Sequence, residues 1–133
     1  MADEFIWMSK MIVKLIHDDQ INEHGGSYGI RDKGLLDSAL ARPKNICAYE
    51  KKYSIGYLAA SYGYGIARNH PFIDGNKRTA FQVMFVFPKI NGKTLNAPET
   101  EVVIIMENLA SGTITESQLA DWIEEHLQSN DER

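Results

Sequence analysis

The chain has 133 residues, 44% hydrophobic and 24% charged, with a formal net charge of -4 and a sequence pI near 5.5, which fits one soluble globular domain over residues 1–133. The acidic surplus argues against broad binding to nucleic-acid backbones, and a single cysteine, Cys47, excludes an internal disulfide and a multi-thiolate zinc site. The start Met1-Ala2-Asp3-Glu4 is acidic where a secretory signal is basic, and the apolar run from Ala80 to Pro88 is too short to cross a bilayer, so the expected setting is the reducing cytoplasm, with no membrane partner.

The periodicity is helical nearly throughout. Ser9 caps a first helix to about Asn22, with Ile12, Leu15 and Ile16 on one face and Gly25-Gly26 ending it. Asp32 caps a second, short helix through Leu35, Leu36, Ala39 and Leu40, stopped by Pro43. Residues Lys44 to Tyr53 have no clear period and read as a loop. Ser54 caps a third helix to about Arg68, carrying Ile55, Leu58, Ala59, Tyr62 and Ile66 at helical spacing. After a turn, a fourth helix from about Asn76 to Phe87 is apolar nearly all round and belongs in the middle of a bundle; Pro88 should kink or end it. Asn96 with Glu99 caps a fifth helix, and Thr115 with Gln118 forms a capping box for the last, with Leu119, Trp122, Ile123 and Leu127 inward. No strand is expected. The fold expectation is an all-α, compact bundle of about six helices with a buried central helix. His17, His24 and His126 have no visible partners and read as solvent-facing.

The chemistry concentrates in the loop His70-Pro71-Phe72-Ile73-Asp74-Gly75-Asn76-Lys77-Arg78. Gly75 and Asn76 sit where a turn feeds a helix N-terminus, and free N–H groups there, with the positive dipole end, form an anion site. Lys77 adds a point charge and Arg78 a planar fork suited to phosphate oxygens. Asp74, the loop's only carboxylate, suits Mg²⁺ beside a phosphate chain. His70 can take a proton from an attacking hydroxyl at neutral pH. Phe72 reads as the inward anchor. Each residue alone also has a bland reading as loop or solvated surface; their convergence within nine residues points to a phosphate-handling site.

These residues resemble the Fic/Doc signature H-P-F-x-[DE]-G-N-[GK]-R, matching at every position, and Gly34-Leu35-Leu36-Asp37-Ser38-Ala39-Leu40-Ala41-Arg42-Pro43 is similar to the segment preceding the flap in Doc-type members. Similarity runs over roughly residues 5–127. Fic adenylyltransferases usually carry Gly where this chain has Lys77, and a second Arg where it has Phe81; both departures are features of the Doc branch. The resemblance implies a Fic fold and a toxin of a toxin–antitoxin system. It implies phosphoryl transfer from Mg-ATP to a threonine of elongation factor Tu, with the γ-phosphate in the anion site. His70 would be the general base, Asp74 would hold Mg²⁺, and Gly75, Asn76, Lys77 and Arg78 would cradle the transferred phosphate. Lys44 and Asn45, in the expected flap, would align the target peptide. The alternatives are AMP transfer to a protein hydroxyl and a catalytically idle binding module. The internal inhibitory pattern [ST]-x-x-x-E-[GN] is missing: Glu107-Asn108 comes nearest, with Val103 where Ser or Thr belongs. Inhibition would then come from an antitoxin that folds onto the toxin as a helix.

Overall fold

A computed structural model describes residues 5–50 and 53–130; the acidic start and Lys51-Lys52 of the expected loop lie outside the described residues. The elements run α1 (Lys10–His24), α2 (Lys33–Tyr49), α3 (Ile55–Asn69), α4 (Asn76–Ile90), β1 (Lys93–Leu95), α5 (Glu99–Ser111), α6 (Glu116–Glu125) and β2 (Leu127–Ser129). The fold is all-α, as the periodicity predicts, with one small two-stranded sheet added. No helix among the described residues is long and apolar enough to cross a membrane.

Local signals set most boundaries. The Ser9, Asp32 and Ser54 side chains accept from the N–H groups of Ile12, Leu35 and Tyr57, and the Thr115–Gln118 capping box is complete. Gly25 ends α1 at φ 87°. Four boundary expectations change. Pro43 does not stop α2, which runs on to Tyr49 and absorbs most of the expected loop. Pro43 is buried and Ala39, the residue whose carbonyl it leaves unpaired, packs under Gly65 of α3, so packing offsets the lost hydrogen bond. Pro88, also buried, does not end α4, which continues to Ile90. The α5 cap is Pro98 rather than Asn96, with no side-chain cap bond. Leu127 leaves the last helix for β2, which pairs antiparallel with β1 in the register Lys93↔Ser129, Thr94↔Gln128, Leu95↔Leu127. Three-residue strands are too short for an alternation to show.

The inward face of α1 is Val13, His17, Gln20 and Ile21, one position round from the expected stripe: Ile12 and Leu15 are exposed and Ile16 is half-buried. The most enclosed helix is α3, which packs against α2, α4 and α6. Its Gly56, Ala59, Ala60, Gly63, Gly65 and Ala67 are all buried and let the neighbours approach closely. Helix α4 buries Thr79, Ala80, Val83, Met84 and Phe87 against it, while Phe81, Phe85 and Val86 stay half-buried. The chain between α3 and α4 is therefore a short turn joining two packed helices, and its ends are fixed on both sides.

Candidate active site

The nine-residue motif occupies that turn. His70 caps the C-terminus of α3 in the left-handed conformation, φ 50° and ψ 55°, and is the only non-glycine residue with positive φ among those described. Its imidazole is exposed and, among the described residues, has no hydrogen-bond partner. Phe72 is buried, as expected of the anchor. Asn76 locks the turn: its Nδ2 donates to the Phe72 carbonyl and its Oδ1 accepts from the Phe72 N–H, both at 2.9 Å. The Asn76 side chain is thus committed to the loop, and what Asn76 can offer a phosphate is its backbone N–H.

Gly75 begins α4 at φ 76°, ψ 17°, with no side chain capping the helix and no acid in its first turn. The first amides of α4 therefore lack the partners that Ser9, Asp32, Ser54 and Thr115 supply elsewhere. Arg78 Nη2 donates to the Gly25 carbonyl at 3.0 Å, which leaves most of its fork free. Lys77 pairs with Glu107 of α5 across half-exposed surface. His70, Ile73, Asp74, Gly75, Asn76, Lys77 and Arg78 together line a cleft of about 350 Å³. A second groove of about 330 Å³ adjoins it, sharing Lys77 and Arg78 and walled by Phe81, Val102 and Met106.

Asp74 is exposed, and one carboxylate oxygen accepts the Ser27 N–H at 2.8 Å. No cluster of three or more metal-binding side chains exists among the described residues. A lone carboxylate with a free oxygen fits Mg²⁺, which takes its other ligands from phosphate and water.

Two structural supports escaped the sequence reading. His17, expected at the surface, is 1% exposed. Its ring stacks on Phe72, centroids 3.9 Å apart and planes 7° apart, and Nε2 lies 2.7 Å from the Asp74 carbonyl. A carbonyl only accepts, so Nε2 carries the proton. The spacing of Val13, His17 and Ile21 on one helical stripe was the signal that could have found it. His17→Phe keeps a ring on Phe72 but leaves the Asp74 carbonyl unpaired. It should destabilise the protein by about 1–3 kcal/mol, read as a lowered melting temperature. His126 is also not free: Nδ1 lies 2.8 Å from the Trp122 carbonyl and Nε2 is 3.3 Å from Glu101 Oε1. His24 is exposed, as expected.

The second support is the segment between α1 and α2. Ile30 bridges Phe72, the Ile73 N–H donates to the Gly29 carbonyl at 3.1 Å, and the N–H groups of Arg31 and Asp32 both donate to the Pro71 carbonyl, at 2.7 and 3.1 Å. This segment, rather than Lys44 and Asn45, lies against the motif. Those two residues are exposed within α2, about 18 Å along the helix from Asp32 at 1.5 Å per residue. Among the described residues no hydrogen bond or ion pair joins them to the loop. The expected loop after Pro43 is helix instead, because the buried proline does not stop α2.

Comparison with known proteins follows the same span. The Fic/DOC family profile matches residues 7–88, from just before α1 to near the end of α4. A relative described as "Protein kinase doc", from Escherichia phage P1, is 33% identical over 109 residues, covering 81% of this chain and 85% of that protein. "Toxin Doc" of Mycolicibacterium smegmatis (strain ATCC 700084 / mc(2)155) is 43% identical over 77 residues, 55% of this chain and 57% of that relative. With the signature loop held between α3 and α4 and matched together with the helices that hold it, this chain belongs to the Fic/DOC family, on its Doc branch.

Proposed function

We propose that this protein is the toxin of a toxin–antitoxin pair. It transfers the γ-phosphoryl group of Mg-ATP to a threonine hydroxyl of elongation factor Tu and blocks translation in the cytoplasm. The observation that carries this reading is the uncapped start of α4, opening with Arg78 into the cleft that the exposed His70 also lines. In the reaction, His70 accepts the threonine proton as the hydroxyl oxygen bonds to the γ-phosphorus. The bond from that phosphorus to the β–γ bridging oxygen breaks, and ADP leaves. The α4 amides and the Arg78 fork hold the equatorial oxygens, where charge stabilisation supplies most of the rate. Asp74 would hold Mg²⁺, which neutralises charge on the phosphate chain.

The γ-phosphate reading is preferred over AMP transfer because Lys77 and Phe81 both line the groove beside Arg78. Phe81 offers no second guanidinium fork there to grip an inner phosphate. The relative named as a kinase supports the same choice. The groove also suits an antitoxin helix: Phe81, Val102 and Met106 offer an apolar floor, with Val103 exposed at its edge. A helix seated there would cover Lys77 and Arg78.

Incubation with elongation factor Tu and ATP labelled at the α- or γ-phosphate tests the reaction. Label from the γ position alone should remain on the factor. Retention from the α position alone would establish AMP transfer instead.

A further inference from the structure

Residue 70 is held against two conformational preferences. A histidine in the left-handed region is uncommon, and a residue preceding proline favours extended backbone, yet His70 sits at φ 50°, ψ 55° directly before Pro71. Such strain persists only where the surroundings over-determine it. The fork of Arg31 provides the means. Its Nε donates to the His70 carbonyl at 2.7 Å and its Nη2 to the Asn69 carbonyl at 2.9 Å. These oxygens belong to the two peptide planes that flank the His70 Cα. Holding both planes fixes φ and ψ of His70 together, and so the direction of its Cα–Cβ bond. They are also terminal carbonyls of α3, at the negative end of its dipole, where a cation is favoured. Arg31 is itself anchored, because its own N–H and that of Asp32 bond to Pro71, the next residue of the turn.

We propose that Arg31 is the positioning residue of the general base: it touches neither phosphate nor target, and it acts by aiming the His70 imidazole. This rests on the reading of His70 as the base. Among the described residues, no other arginine bonds two consecutive backbone carbonyls.

The test compares Arg31→Ala, Arg31→Lys and His70→Asn, singly and in the Arg31→Ala/His70→Asn pair, using Mg-ATP and elongation factor Tu. Arg31→Ala should lower turnover about a hundredfold, the scale of an ångström-sized misplacement, with the KM for ATP unchanged. Arg31→Lys, which can reach one carbonyl but not both, should fall between. Added to His70→Asn, Arg31→Ala should cost nothing further, since it acts only through the imidazole. By NMR, the His70 ring signals should shift and broaden in Arg31→Ala while those of His126 stay put. This readout stands even where residual rates are too low to compare, and Arg31→Lys serves if the alanine variant does not fold. Wild-type turnover in Arg31→Ala beside a collapsed His70→Asn overturns the proposal alone. So does a KM that rises with the loss of turnover, or unmoved His70 signals. Wild-type turnover in His70→Asn overturns both the proposal and the reading beneath it.

Discussion

Replacing His70 by asparagine should lower phosphoryl transfer by about 10²- to 10⁴-fold, the usual worth of a general base, and abolish toxicity while the protein stays folded. Asparagine is the informative choice because of the backbone. His70 is left-handed, and asparagine tolerates that region, whereas alanine costs roughly 1–2 kcal/mol there. The bonds that hold the turn are blind to the side chain: the His70 N–H reaches the Ile66 carbonyl at 3.2 Å, and the His70 carbonyl accepts from Arg31. The exposed imidazole leaves no buried partner behind. Melting temperature should therefore move by no more than a few degrees, and ATP affinity should hold, since the phosphates are bound by α4. Full toxicity in a folded His70→Asn protein would point instead to the idle binding module. His70→Ala should be equally inactive and measurably less stable, which separates the chemical role of the ring from the conformational demand of the turn.

The placement of this loop is legible in the sequence because it depends on residue types at fixed spacing next to a helix start: the turn does feed the first residues of α4, and His70, Asp74 and Arg78 do line one cleft. The capping residues Ser9, Asp32, Ser54 and Thr115 were legible for the same reason: each acts within three residues of its own position. What escaped depends on contacts between distant segments. Arg31 reads as an ordinary surface cation until the fold sets it against Asn69 and His70. His17 reads as solvent-facing with no partner, yet it is buried under the loop because Phe72 supplies a flat partner and Asp74 an acceptor. Pro43 and Pro88 act in the opposite direction: the local rule against proline inside a helix is real, but with both rings buried neither residue ends its helix. The β1–β2 ladder has only three pairs and is set by where the chain ends of α4 and α6 meet.

Arg78→Ala should cost about 10²- to 10³-fold in turnover, comparable to removing one preorganised donor from a site of developing charge. The position of Arg78 favours a transition-state role over a structural one. One Nη2 donates to the Gly25 carbonyl, a half-exposed tether to the loop after α1, and the remaining donors are uncommitted in the cleft beside the uncapped α4 amides. Losing the tether should cost about 1 kcal/mol of stability, too little to unfold a bundle whose core lies elsewhere. Arg78→Lys should restore the charge but not the activity, because an ammonium cannot bind two phosphate oxygens in one plane. The split between constants distinguishes this residue from His70: Arg78→Ala should weaken ATP binding as well as slow transfer, since its fork meets the phosphate in the ground state too, whereas His70→Asn should slow transfer alone. Thermal unfolding and ATP titration on the same preparations decide between the two roles. A variant that binds ATP and turns over normally, or that unfolds outright, would make Arg78 a tether of the Gly25 loop, and the phosphate would then have to be held by the α4 amides and Lys77 without it.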